Sequence, residues 1–209
     1  MPSIQLINRE QLEELIHMQE TLNCKYGSTK WRDNFSFGQA KIAVIDEVGE
    51  FIREIESDWK WWKVNPNYHK QKALFELIDI VHFALMMALY HTDNSTLAMT
   101  STDLTNDDFV FTPSDDKYDD FSLAISDLLQ MSKPEGDFGR LNAKRDSLRV
   151  ILDVINSGGA LLGGLDSNAI YQSYIMKNHR NHTRVDEGVL VGRYDKNNER
   201  DLIYAPKVR

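Results

Sequence analysis

Two pairs of carboxylates with the same spacing are the residues of this chain best suited to chemistry. Glu47 and Glu50 form the first pair, and Glu76 and Asp79 form the second. Residues three positions apart lie on the same face of an α-helix. Four converging carboxylates repel one another unless a cation lies between them, and Mg²⁺ binds carboxylate oxygens while leaving positions open for substrate phosphates. The spacing therefore predicts a metal-dependent enzyme that acts on a phosphorylated substrate.

The second pair is stronger evidence for a metal site than the first, because its surroundings are apolar. A carboxylate in an apolar environment is costly unless it is paired or bound to a metal. Glu54 continues the face of the first pair and is a weaker candidate ligand, and both Glu54 and Glu56 are expected to face solvent. The apolar residues that flank Asp79 are Leu77, Ile78, Ile80 and Val81.

Two further segments contain residue types that bind nucleotides. Trp59-Lys60-Trp61-Trp62-Lys63 is either a packed corner between helices or an aromatic wall for a base, with lysines nearby for phosphate. Lys177, Arg180 and Arg184 concentrate positive charge in an acidic protein, either as donors to phosphate or as an ordinary basic helix end. His82, one turn after Asp79, either touches a substrate or is a buried histidine with its own partners.

Other common sites do not match the sequence. The six histidines show no His-x-x-x-His spacing and no cysteine partner, which argues against zinc. Gly158-Gly159 and Gly163-Gly164 lack the Gly-Lys-Ser/Thr of a phosphate loop and are interpreted as hinge and helix-end glycines. Cys24 has no neighbouring base and is expected to be inert.

Composition places the chain among globular proteins. Its 209 residues suit one domain, 1–209, with a substantial core. The net charge of −8 argues against a general nucleic-acid binder. We expect no membrane partner, because no segment resembles a signal peptide or approaches about 20 apolar residues. A single cysteine suggests the reducing cytoplasm.

Hydrophobic periodicity predicts an all-α helical bundle. The third helix is apolar almost all round, so we expect it at the centre of the fold, with a dimer interface adding cover. A loop is predicted at 91–116 and an irregular C-terminal tail at 180–209. The helices are predicted at 9–26, 37–57, 68–90, 117–132, 138–156, and from Asp166 or Ser167 to about 179.

Taken in order, these features resemble the dimeric all-α dUTPase family. That family belongs to the all-α nucleoside triphosphate pyrophosphatases, with MazG-type proteins and a phage dCTPase. The acid pairs indicate the superfamily, whereas the tryptophan–lysine and lysine–asparagine segments indicate the dimeric dUTPase branch. The matching segments are Met18-Gln19 to Asn23, Glu47-x-x-Glu50, Trp59-Lys60-x-Trp62-Lys63, Phe75 to Phe83, and Tyr174-x-x-Lys177-Asn178-x-x-Asn181-x-x-Arg184.

The resemblance implies a homodimer that hydrolyses dUTP, and dUDP as well, to dUMP with two or more Mg²⁺ ions, and so limits the entry of uracil into DNA. It assigns the metal to Glu47, Glu50, Glu76 and Asp79, and the catalytic orientation or deprotonation of water to Glu47 or Glu50. The implied phosphate-binding residues are Lys177, Asn181, Arg184 and Lys63. The implied nucleoside-binding residues are Gln19, Asn23, Trp59 and His82.

The C-terminal tail departs from the family pattern. Val185 and Val189 replace a polar residue and a tyrosine, which leaves open how the tail closes over the site. Two alternatives also stay open at this point. One is the same chemistry on dCTP or a broader range of nucleotides, and the other is a non-enzymatic helical dimer that binds nucleotide.

Overall fold

The computed structural model describes residues 2–90, 104–133, 136–166 and 168–188, so the predicted loop at 91–116 is described only from residue 104. Within these ranges the chain is helical, and its β-type pairing is a single antiparallel bridge between Ile4 and Phe111. The all-α prediction is confirmed. The helices are α1 (Arg9–Gly27), α2 (Trp31–Asn34), α3 (Phe37–Glu54), α4 (Glu56–Trp59), α5 (Lys70–Tyr90), a 3-10 helix (Asn106–Phe109), α6 (Lys117–Gln130), α7 (Gly136–Leu162) and α8 (Ala169–Asp186).

Helix α5 lies at the centre of the bundle, as its apolar sequence predicts. It packs against α1, α3, α7 and α8. Leu77, Ile78, Ile80 and Leu85 have no exposed surface. Because helices of the same chain cover α5, the expectation that it depends on a dimer interface for cover is wrong.

By length and composition, α5 is also apolar enough to cross a membrane. This corrects the expectation that no segment reaches that size. In the fold, 67% of its apolar window is buried inside the bundle. Core helices of helical bundles meet the same criterion, because a helix that is hydrophobic all round is buried either in protein or in lipid.

The predicted second helix, 37–57, is divided into α3 and α4. Ile55 leaves the helical conformation (φ −118°, ψ 29°) and buries its side chain in the core. Glu56 is also buried, so the expectation that it faces solvent is wrong. It accepts hydrogen bonds from Lys60 and Lys63, and these bonds lower the pKa of Glu56 to about 2. The tryptophan–lysine segment is therefore a corner held by a buried carboxylate.

Gly158 and Gly159 lie inside α7, so their interpretation as a hinge is wrong. A Cβ on Gly158 would lie 2.5 Å from Leu77 Cδ1, and one on Gly159 would lie 2.0 Å from Leu6 Cδ1. These glycines therefore allow α7 to approach α5 and the N-terminal segment. The second pair, 163–164, has positive φ angles and ends the helix, as predicted.

Helix α8 extends beyond its predicted end at about 179 and includes residues 180–186. Its last turns are joined to α1 by Lys25, whose Nζ lies 2.7 Å from an Asp186 carboxylate oxygen and 3.2 Å from the His182 carbonyl oxygen. Residues 189–209, with the rest of the predicted tail, lie outside the described residues. The basic segment is thus helical.

Replacing Gly158 by alanine is expected to destabilise the protein. Alanine favours a helix by about 1 kcal/mol over glycine. However, the added Cβ would overlap Leu77 and come within 3.2 Å of Phe121, and such overpacking costs about 1–3 kcal/mol. Urea unfolding should therefore show a lower free energy of unfolding.

Gly38→Ala is the matched control, because the nearest atom to its Cβ would be Ser36 Oγ at 3.7 Å. This variant should be as stable as the wild type or slightly more stable. A Gly158→Ala protein more stable than the wild type would contradict the packing argument.

Candidate active site

Three of the four predicted metal ligands converge where α3 packs against α5. Glu47 and Glu50 project from α3, and Glu76 projects from α5. One carboxylate oxygen from each residue lies within 4.8 Å of the other two. The three-residue step on α3 and the side-by-side packing of the helices place these acids close enough to share a divalent cation.

Asp79 lies one turn further along α5 and has a different partner. The ammonium group of Lys177 on α8 donates a hydrogen bond to its Oδ2, and both side chains are largely buried. Burial raises the pKa of Asp79, and the positive charges of Lys177, Arg184 and Arg180 oppose that rise. Helix α8 thus turns its positive charge towards the acids.

The clustered acids are arranged to receive a cation. Burial, together with the charges of Asp79, Glu76 and Glu50, raises the pKa of Glu47 to about 7. Burial likewise raises the pKa of Glu76. Their ionised forms are therefore costly without a counter-charge. Because the donors are all carboxylate oxygens, they fit a hard divalent cation rather than zinc.

A cavity of about 540 Å³ opens beside these acids, which is the size of a small-molecule site. Helices α1, α3, α5 and α8 all contribute to its wall. The predicted site residues that line it are Gln19, Asn23, Glu47, Asp79, His82, Asn181 and Arg184. The wall also contains residues that the sequence did not single out: Leu22, Tyr26, Gly27, Trp31, Asn34, Phe35, Phe83 and Met86.

One end of the cavity is a buried polar network centred on Gln19. Its Oε1 lies 2.6 Å from the Tyr174 hydroxyl and 2.6 Å from His82 Nδ1. Its Nε2 donates to Asn23 Oδ1 at 2.8 Å. The imidazole of His82 stacks on the Tyr174 ring, with centroids 4.2 Å apart. Helix α1 is thereby joined to both α5 and α8 at the level of the cavity.

Two atoms of this network have no partner among the described residues. They are Nδ2 of Asn23 and Nε2 of His82, and both are buried. Burial lowers the pKa of His82 to about 3, so the ring is neutral near pH 7. Since buried polar groups are normally paired, the two atoms indicate that this end of the cavity is built for a polar ligand.

Trp31 forms an aromatic part of the cavity wall that sequence reasoning missed. Its Nε1 donates to Glu20 Oε1 at 3.3 Å, and Arg32 holds both oxygens of the same carboxylate. Phe35 packs edge-on against the Trp31 ring at 5.8 Å. The sequence could not predict this role, because a single tryptophan in a polar segment shows no periodicity. Burial of the Glu20–Arg32 pair depends on tertiary packing, which local patterns do not show.

Trp59 and Lys63 are not brought into this cavity. Trp59 donates from Nε1 to the Ile52 carbonyl at 3.0 Å and lines a separate apolar groove between α3 and α6. Lys63 is paired with Glu56. The structure therefore favours the reading of this segment as a packed corner, because the break at Ile55 turns it away from the acids.

Comparison with known families identifies the type of enzyme. A profile of a family described as dUTPase matches residues 11–189. The chain belongs to the all-α dUTPase family. No curated protein matches the chain in a direct comparison.

The enzyme is therefore a dUTP diphosphatase with a nucleotide substrate, as predicted. The alternative of a non-enzymatic helical dimer is set aside. Enzymes of the dUTPase type typically use a divalent metal, and the three-acid cluster is the group of described residues that could hold one. The cavity joins this cluster to the polar network around Gln19.

The raised pKa values predict how stability depends on pH. A carboxyl whose pKa is raised in the folded state binds its proton more tightly when folded. Stability is then greatest at low pH and falls as pH rises from the unfolded value near 4.5 towards the folded value of about 7 for Glu47. Without metal, the free energy of unfolding should fall across this window.

Glu47→Gln should reduce this pH dependence, and millimolar Mg²⁺ should offset the loss of stability at neutral pH in the wild type. Urea unfolding at a series of pH values, with and without Mg²⁺, makes the measurement. A wild type whose stability rises steadily from pH 5 to pH 7.5 without metal would contradict the charge analysis.

Proposed function

We propose that the enzyme hydrolyses dUTP, and also dUDP, to dUMP with two or more Mg²⁺ ions, and so limits the entry of uracil into DNA. The observation that carries the proposal is the cavity itself. At one end its wall includes Asp79 and Glu47, which belongs to the acid cluster. The wall also includes Arg184 on α8, and the Gln19 network forms the other end. A nucleotide has the matching order of groups, with phosphates at one end and a base at the other.

The residues that would hold the metal are Glu47, Glu50, Glu76 and Asp79. A bound Mg²⁺ would neutralise phosphate charge and lower the pKa of a coordinated water. Glu47 is the better candidate to orient or deprotonate the attacking water, because it is half-buried and lines the cavity. Glu50 is more exposed and lies 3.5 Å from Arg53.

Lys177 has a second role in this proposal. Its ion pair with Asp79 supplies a counter-charge in the metal-free protein. For Asp79 to bind a metal through Oδ2, Lys177 must release that oxygen, and a phosphate oxygen is the natural new partner for the ammonium group. Binding of metal and binding of phosphate are thereby coupled through one side chain.

Arg184 and Asn181 would position the phosphates. Both line the cavity, and Arg184 Nη1 donates to Asn181 Oδ1 at 3.2 Å. The positive charge of Arg184 also reaches Asp79. Helix α8 would therefore hold the phosphate chain on the side opposite the acids of α3, which is the positioning that phosphoryl chemistry requires.

We propose in addition that the enzyme is a homodimer that contacts through α3. Ile42 and Ile45, one turn apart on this helix, are 71% and 56% exposed. Isoleucines at this exposure form a small apolar surface that a second copy would cover. The resemblance to dimeric dUTPases agrees with this assembly, although the face differs from the central helix expected from sequence.

A cytoplasmic location without a nucleic-acid or membrane partner completes the proposal. The acidic net charge and the single cysteine support it. The apolar helix α5 is accounted for by its burial within the bundle.

Pyrophosphate release, measured against each dNTP separately with Mg²⁺, tests the function. We expect dUTP to be preferred over dCTP and dTTP, and we expect dUDP to release phosphate. Glu76→Gln should lower turnover more than tenfold, about 1.4 kcal/mol of barrier or more. Glu54→Gln is the control, because that carboxylate is paired with His69 at 2.8 Å and should be dispensable.

Two outcomes would contradict the proposal. A Glu76→Gln enzyme with more than about a tenth of wild-type activity would exclude metal ligation by this residue. Equal or higher kcat/KM for dCTP would favour the dCTPase alternative and leave the metal mechanism intact.

Light scattering tests the assembly. At micromolar concentration the wild type should give twice the 24.2 kDa chain mass. Ile45→Glu should shift the mass towards the monomer, because it places a charge in the proposed contact. Leu123→Glu, at a residue that is 58% exposed on α6, should remain dimeric. A monomeric wild type that turns over substrate would refute the dimer.

A further inference from the structure

Tyr174 and Asn178 are buried on α8 directly behind the polar end of the cavity. Tyr174 has no exposed surface, and Asn178 is 5% exposed. Neither residue lines the cavity. Tyr174 nevertheless donates a hydrogen bond to Gln19, which does line it, and Asn178 influences the pKa of the Tyr174 phenol. Their effect on a ligand would therefore pass through other side chains.

A backbone group fixes the orientation of the Asn178 amide. The carbonyl oxygen of Met18 can only accept a hydrogen bond. Asn178 must therefore direct its amide nitrogen to it, at 3.4 Å. The same amide opposes the rise that burial causes in the pKa of the Tyr174 phenol. The phenol directs its O–H to Gln19 Oε1 at 2.6 Å.

The donor and acceptor roles of the next hydrogen bonds, up to the cavity wall, follow from this one. Gln19 Oε1 accepts from Tyr174 and from Nδ1–H of His82. The Gln19 amide nitrogen is left to donate to Asn23 Oδ1. Asn23 consequently presents its Nδ2–H groups, and His82 presents the lone pair of Nε2. These are the two buried atoms without a partner among the described residues.

We infer that Tyr174 is a positioning residue that sets the direction of the hydrogen bonds to the base, so that Asn23 donates and His82 accepts. The inference rests on the proposed preference for uracil and deepens it. In uracil, the N3–H donor is flanked by carbonyl acceptors. This edge supplies an acceptor for Asn23 and a donor for His82.

Cytosine has a lone pair at N3 instead of a hydrogen. If the sugar and phosphates hold the ring in one place, that lone pair faces the lone pair of His82 Nε2. A buried polar site left unpaired in this way can discriminate by several orders of magnitude. Thymine has the same edge as uracil, so the polar network does not reject it, and its exclusion must come from the apolar walls.

The first test is the tautomer of His82. In ¹⁵N spectra of the metal-free wild type, with His82 assigned by comparison with a His82→Gln variant, the ring should be neutral and protonated on Nδ1. Tyr174→Phe removes the directing hydroxyl, so a population protonated on Nε2 should become visible. A wild-type ring protonated on Nε2 would overturn the inference, whether or not the variant folds.

The second test is base selectivity. In Tyr174→Phe, the ratio of kcat/KM for dUTP over dCTP should fall at least about tenfold. The change should lie mainly in KM for dUTP, because the substitution leaves the acid cluster of Glu47, Glu50 and Glu76 untouched. Tyr171→Phe is the matched control on the same helix, since that hydroxyl bonds Glu14 at the surface. It should leave both tautomer and selectivity unchanged.

A folded Tyr174→Phe enzyme with wild-type selectivity would also overturn the inference. A different result would show that the proposed function is wrong. If the wild type releases no pyrophosphate from dUTP, or prefers dCTP, the proposal on substrate is wrong, while the His82 tautomer still decides the polarity of the network.

Discussion

Repulsion between carboxylates beside a buried helix is the constraint on which the arrangement of this protein depends. Glu47, Glu50 and Glu76 are held within a few ångströms by the packing of α3 on α5. Such a cluster is costly in its ionised form unless positive charge lies nearby. Helix α8 supplies that charge through Lys177 and Arg184. Contacts between residues far apart in the sequence, from α8 to α3 and α5, therefore offset the repulsion within the acid cluster.

One face of α5 connects the two ends of the cavity. Glu76, Asp79 and His82 follow one another at three-residue steps on this helix. Six residues of helix span about 9 Å, so the acids and the His82 imidazole are held at a fixed separation. The core helix thus sets the length of ligand that the cavity accepts, and its rigidity comes from burial on its other faces.

The acid pairs, the helices and the central place of α5 were predictable because spacing on a helix determines which side chains share a face. The position of Trp59 was not, because it depends on the break at Ile55, where burial of one side chain outweighs a continuous helical pattern. The buried Glu56 and the close approach at Gly158 likewise depend on neighbours distant in sequence. Local patterns contain no information about such contacts.

The residues of the polar network lie far apart along the chain, and this affects the order in which the protein can be made. Gln19 and Tyr174, which share a hydrogen bond, are separated by 155 positions. During synthesis, α1 leaves the ribosome long before α8. Until α8 docks, the acids of α3 and α5 lack their counter-charges and one wall of the pocket is missing. The pocket is therefore complete only after α8 has docked, and that docking carries the entropic cost of closing a long loop.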